Sequence, residues 1–211
     1  MKTFGDAYTR SLDRLGAVVR DHEILTLSTL GPAGTSSDHA ARHLHDRLIG
    51  TGHAGLRIEL HPTFDAVMDS VAGGTSTVAL VPSAYRDATA FHWHPKLRLF
   101  FHFVHPTPTY GLAARQAEVP ERTPLRISTM SEVSVLYPEL CPPALRDRDV
   151  DWVPARSTMD AARALAHGEA DLALTNDHGR DAHNLYWLSH RPGAQIVWLL
   201  FTNLPLEDDE R

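Results

Sequence analysis

The chain has 211 residues, is 43% hydrophobic and carries a formal charge of −6; it can bury a proper core, and it has no basic stripe interleaved with aromatics to mark a nucleic-acid binder. Its single cysteine, Cys141, excludes a disulfide framework. No apolar run reaches the roughly 18 residues of a membrane span, so the expectation is a cytoplasmic protein with neither nucleic acid nor membrane as partner, a homodimer being left open.

Residues 1–22 mix acids and bases and lack the apolar core and cleavage site of a secretory signal. Leu12, Leu15, Val18 and Val19 recur at helical spacing, which predicts an N-terminal helical extension. "EILTLSTL" then reads as a buried strand. The turn Gly31-Pro32-Ala33-Gly34 leads from it into a helix, "SSDHAARHLHDRLIG". "LRIEL" is a second strand, "TFDAVMDSVAGG" a second helix and "STVALVPSA" a third strand. The helices open on Ser or Thr and stop at Gly, as capping chemistry asks. "LRLFFHFV" and "TYGLAAR" are strands about the turn "HPTP".

"QAEVPERTP" is the most loop-like stretch and a candidate hinge. Beyond it come strands "LRISTM" and "DVDWVPA", helix "STMDAARALAHG", strand "ADLALTN", short helix "DHGRDAHNL" and final strand "AQIVWLLF". The alternation predicts an α/β protein of two lobes with the ligand cleft between them, at the carboxyl ends of the strands. Residues 23–100 and about 186–204 form lobe 1, residues 101–185 lobe 2, and 205–211 a solvated acidic tail.

Three polar groups fall at strand ends or helix starts, where free N–H groups and the helix dipole favour an anion. Thr35, Ser36 and Ser37 follow the glycine turn; capping alone needs only one hydroxyl. Arg156 adjoins Ser157 and Thr158, where a cap and a carboxylate site are equally good readings. Thr175 and Asn176 end an apolar strand, where turn chemistry and polar groups aimed at the crevice are equally good readings. The 14 histidines include His39 and His43, four apart on one helix, but no Glu completes a His-Glu-x-x-His pattern. No metal is predicted. Cys141 has no partnered His at a recognisable spacing, and no phosphate-binding glycine loop occurs.

"LGPAGTSSDHAA", "TFDAVMDSV", "VALVPSA" and "STMDAARALAHGEADLAL" occur in the order of the prephenate dehydratase catalytic domain, which the chain resembles over roughly residues 24–203. That resemblance implies two lobes like those of type II periplasmic binding proteins. The departures are informative. Dehydratases carry Thr-Arg-Phe in the last strand, where this chain has Leu199, Leu200 and Phe201. Their Glu-Asn-Ser becomes Ala84-Tyr85-Arg86, and no regulatory amino-acid-binding domain is expected after residue 203. "TLGPAGTSS", "HPTF", "VPSAY", "TPTYGLAAR" and "ALTN" are similar to segments of the non-aromatising prephenate decarboxylases of bacterial secondary metabolism, the bacilysin-pathway type.

This second resemblance implies loss of CO2 with a ring double-bond shift and retention of the ring hydroxyl, without metal or cofactor, prephenate being the small-molecule partner. Two leucines in place of Thr-Arg would deny the hydroxyl an acid and dry the wall. Tyr85, Tyr110 and His61 are the candidates for proton transfer, with His105 and water also open. Candidates for holding substrate are Thr35, Ser36, Ser37, Ser83, Tyr85, Thr107, Arg115, Arg156, Ser157, Thr158, Thr175, Asn176, Leu199 and Leu200. Of the two arginines, Arg115 is preferred for a carboxylate. A prephenate dehydratase and a non-catalytic binding module remain the alternatives.

Overall fold

The computed structural model describes residues 4–22, 24–50 and 56–206. The expected acidic tail, from Glu207 onward, lies outside them. The chain divides into two compact units, one made of residues 1–30, 37–105 and 195–211, the other of residues 31–36 and 106–194.

The first unit is built on a sheet of β1 (Leu25–Leu30), β2 (Leu56–His61), β3 (Val78–Pro82), β4 (Arg98–Pro106) and β10 (Gln195–Thr202), in the order β2-β1-β3-β10-β4. The strands β1, β2 and β3 are parallel and β10 runs against β3. One face carries the core of the unit. There α1 (Phe4–Arg20) and α2 (Ser36–Ile49) bury Leu15, Val18, Val19, Ala40, Ala41 and Leu44 against Leu25, Leu27, Leu80, Trp198 and Leu200. The predicted N-terminal helix therefore forms, although Leu12 of its apolar set is 44% exposed. On the opposite face lie α3 (Phe64–Ala72), capped by Thr63 Oγ1 accepting from Ala66 N–H, and α4 (Ala88–Trp93). Phe91 of α4 packs edge-on to Phe64 and against Phe201.

The second unit has a sheet in the order β7-β6-β8-β5-β9. Its strands are β5 (Tyr110–Ala114), β6 (Leu125–Thr129), β7 (Val150–Pro154), β8 (Leu172–Asn176) and β9 (Tyr186–Arg191). The β6, β7 and β8 strands are parallel, while β5 is antiparallel to both its neighbours. One face packs on α5 (Ser131–Ser134), α6 (Tyr137–Leu140) and a 3-10 turn at Pro143–Leu145, with Cys141 buried among them. The other packs on α7 (Thr158–Ala166), whose Ala161, Ala162 and Leu165 meet Ala113 and Ala173. A short α8 (Asp177–Ala182) follows β8.

Two boundaries differ from the expected ones. The chain passes between the units at residues 30/31, 36/37, 105/106 and 194/195, not in the loop 116–124, which lies within the second unit between β5 and β6. Residues 186–194 belong to that unit too, because β9 pairs with β5. Where the second unit begins and ends, Thr107 N–H donates to Ala194 O at 2.9 Å and Ala194 N–H donates to Thr107 Oγ1 at 3.1 Å. The helix α4 and strand β9 are absent from the sequence reading. Among the described residues no helix is long and apolar enough to cross a membrane.

Candidate active site

In each unit the polar and aromatic candidates gather where the parallel strands end, the edge at which open α/β sheets bind ligands. In the second unit, residues 31–36 form the glycine turn, and Gly34 takes φ +86°, a conformation that L side chains rarely adopt. A Cβ there would lie 3.0 Å from Met159 Sδ. Gly34 O accepts from Asn176 Nδ2 at 2.8 Å, and Asn176 Oδ1 in turn caps α8 by accepting from Gly179 N–H at 2.9 Å. Ser36 Oγ and the Tyr110 hydroxyl are 2.6 Å apart. Tyr110 and Asn176 are cross-strand partners, so the first and third of the predicted cradles converge on one patch. Burial raises the Tyr110 pKa, the bond to Ser36 opposes this, and the Asp177 charge adds to the rise. Tyr110 thus keeps its proton tightly.

Several candidates are occupied by the fold. Ser157 Oγ caps α7 by accepting from Asp160 N–H at 3.0 Å, and Thr175 Oγ1 donates to Thr158 O at 2.7 Å. Thr158 itself is buried at the first turn of α7. Thr107 is taken up in the bonds to Ala194. Arg115 is also held by the fold. Its guanidinium donates to Leu165 O at 2.7 Å and Ala170 O at 2.8 Å, the carbonyls at and beyond the end of α7. It also follows the far end of β5 from Tyr110, roughly 16 Å away at strand rise. Arg115 therefore fastens a helix end and is not placed with the Ser36–Asn176 group. The Arg156 side chain is 70% exposed and pairs only loosely with Asp160, at 3.6 Å.

In the first unit, Thr63 and Phe64 lead from the end of β2 into α3, and Tyr85 lies just beyond β3. The Phe64 and Tyr85 rings are 4.3 Å apart between centroids, tilted by 35°. Ser83 is exposed and donates its backbone N–H to Val197 O at 2.9 Å. Ser37, one residue beyond Ser36, is buried in α2. His61, the last residue of β2, is half-buried, and its Nε2 lies 2.8 Å from Ser28 Oγ. Ser28 donates to Ser76 Oγ at 2.7 Å, and Ser76 to Glu59 Oε2 at 3.0 Å. Ser28, Ser76 and Glu59 are not marked by the sequence, since β1 and β2 carry other polar residues, Thr26, Thr29 and Arg57, beside Ser28 and Glu59.

The two leucines of β10 do not share a wall. Adjacent strand residues point to opposite faces. Leu200 is fully buried in the core with Trp198 and Phe100. Leu199 is half-buried on the α3 face, paired with Val81. The β1–β2 register places His61 beside Leu30, and continuing the β1–β3 register places Leu30 beside Val81. His61, Leu30, Val81 and Leu199 thus form one row across the strand ends, about 4.8 Å per step.

His105 joins His39 and His43, its ring stacked at 5.1 Å on the first and 3.8 Å on the second. Burial, then the His43, His39 and Arg47 charges, push its pKa down to about 4, which makes it a poor proton donor near neutrality. Stacked rings turn faces, not nitrogens, to one another; among the described residues no group of three or more His, Cys, Asp or Glu could hold a metal ion.

These two units, each with ligand-type groups at its strand ends, define an α/β protein of the fold shared by periplasmic binding proteins and prephenate dehydratase. The chain is similar to a prephenate dehydratase from Arthrobacter aurescens solved with L-Phe, at TM-score 0.58 and 21% identity, over 89% of this chain and 63% of that one. It thus spans less than two thirds of the dehydratase chain. It is similar to the periplasmic VFT2 domain of Bordetella pertussis BvgS at TM-score 0.57 and 14% identity, over 90% of this chain and 85% of that one. No protein-family model matches. Over 191 residues the chain is 30% identical to a prephenate decarboxylase of Bacillus subtilis (strain 168), covering 89% of this chain and 91% of the relative. The chain belongs to the prephenate decarboxylase family, a family of carbon–carbon lyases.

Proposed function

We propose that this chain decarboxylates prephenate without aromatising it, giving a dihydro-4-hydroxyphenylpyruvate within the biosynthesis of a secondary metabolite, in the cytoplasm. The observation that carries the reading is Leu199. Half-buried at the strand ends, it presents methyl groups at the position where a dehydratase, by the sequence resemblance, carries the threonine implicated in expelling the ring hydroxyl. Loss of CO2 leaves an electron pair on the ring. If an acid protonates the hydroxyl, that pair drives water out and the ring becomes aromatic. With an apolar neighbour the hydroxyl stays, the pair shifts through one ring alkene, and a more distant ring carbon takes the proton.

The anionic arms of prephenate need holding while this happens. The N–H groups around the glycine turn, the Ser36–Tyr110 pair and the exposed Arg156 are the groups suited to a carboxylate. Remote binding of this kind orients the ring and does not enter the chemistry. The test is direct. Purified protein should release CO2 from prephenate with no added metal or cofactor and with no loss on EDTA treatment. The product should retain its hydroxyl-bearing carbon by NMR. Phenylpyruvate as the sole product would make the chain a dehydratase, and binding of prephenate without CO2 release would make it a sensor.

A further inference from the structure

The row of strand-end residues in the first unit contains one group able to move a proton, and the hydrogen bonds behind it fix its state. Glu59, as a carboxylate, can only accept, so Ser76 gives it the hydroxyl proton at 3.0 Å. With that proton committed, Ser76 Oγ accepts from Ser28 at 2.7 Å; Ser70 Oγ, 2.9 Å away, must donate to Ser76 as well. The Ser28 proton is then also committed, so His61 Nε2, at 2.8 Å, carries a hydrogen and donates it to Ser28 Oγ. Every bond therefore points from the imidazole toward Glu59. Ser28 and Ser76 are buried, at 0% and 2% exposure, so water does not compete along the chain.

The consequence lies at the other nitrogen. With Nε2–H committed to Ser28, Nδ1 is the nitrogen left to exchange a proton. We propose that His61 is the acid that delivers the proton to the ring carbon after CO2 leaves, with Ser28, Ser76 and Glu59 as its positioning residues. This assignment rests on the decarboxylase reading above. In the step, the C–C bond to the carboxylate breaks and its electron pair forms a new ring double bond. The old double bond shifts, and the pair reaching the distant ring carbon takes the proton from Nδ1. His61 is left neutral and is reprotonated from solvent. The other candidates are less suited: Tyr110 holds its proton tightly through burial and is bonded to Ser36, while Tyr85 is packed on Phe64.

The experiment compares wild type, His61→Gln, His61→Ala and Glu59→Gln on prephenate, with CO2 release, product NMR and thermal unfolding measured for each. Glutamine reproduces the Nε2–H donor to Ser28 and has no counterpart of Nδ1. Its kcat should fall about 100-fold or more, the range for a lost general acid, with KM within about threefold and melting temperature little changed. Imidazole added to His61→Ala should restore part of the rate. Glu59→Gln, which keeps an accepting oxygen without the charge, should lower kcat by less than His61→Gln does. A His61→Gln enzyme within about threefold of wild-type kcat overturns the assignment. So does a His61→Ala enzyme that folds and is inert to imidazole. If wild type itself releases no CO2 from prephenate, the functional reading fails instead, and the two failures are told apart.

Discussion

Leu199 and Leu200 show how much one residue's direction decides. Leu200 points into the core formed with α1 and α2, fully buried beside Trp198. Leu200→Arg would leave an uncompensated charge there and should cost roughly 3–5 kcal/mol or prevent folding. Leu199→Thr sits at a half-buried position and should cost about 1 kcal/mol, while allowing some phenylpyruvate to leak if the apolar neighbour protects the hydroxyl. Urea unfolding of each single variant, with product analysis of the second, checks this; equal destabilisation by the two would mean that the faces are misassigned. Strand alternation was legible in "IVWLLF" from the start. The family motif pairs the two leucines, whereas the strand turns them to opposite faces. His61 was also legible as a candidate. Its relay was not, because Ser76 reaches Ser28 and Glu59 only once α3 has folded back over the sheet.

Among the elements, α7 illustrates the rule that helix ends must find partners. Ser157 satisfies the amino end, as the sequence predicts. The carboxyl end receives Arg115 from β5, a cation placed at the negative pole of the helix dipole. Arg115→Ala should lower stability by about 2 kcal/mol, the worth of charged bonds to carbonyls, and leave KM for prephenate unchanged. A KM raised many-fold at unchanged melting temperature would return Arg115 to the substrate. The strands of both sheets announced themselves through apolar runs bounded by caps and glycines, β9 excepted. It is an edge strand with only partial burial of "YWLSHR", so no apolar stripe marks it. The helix α4, six residues long, is too short to show a helical apolar stripe in the sequence. The loop 116–124 looked like a hinge because of its prolines and charges, yet composition reports exposure and not where a chain changes partners.

At the scale of the whole molecule, the stacked histidines link stability to pH. His105 has its pKa lowered from 6.5 to about 4, and His43, whose pKa is also lowered, loses to burial and Arg47 more than it gains from Asp46. His105 Nε2 is buried with no hydrogen-bond partner among the described residues. Between these two values the unfolded chain binds a proton that the folded chain refuses. Stability therefore falls as pH drops from 6.5 toward 4, and this contribution is fully present above 6.5. Denaturant midpoints at pH 7.5, 6 and 5 should decline, and His105→Phe should flatten the decline. An unchanged slope in that variant would assign the effect to the carboxylates.

The position of β10 has a consequence for synthesis. This strand comes last in sequence yet lies inside the first sheet, between β3 and β4. A growing chain can have β5 to β9 out of the ribosome, and the second sheet paired, while the first sheet still has a gap in its middle. The unit that starts first finishes last. Until residues 195–202 emerge, the inner edges of β3 and β4 offer unpaired backbone groups, the kind of open edge that recruits chaperones or other nascent chains.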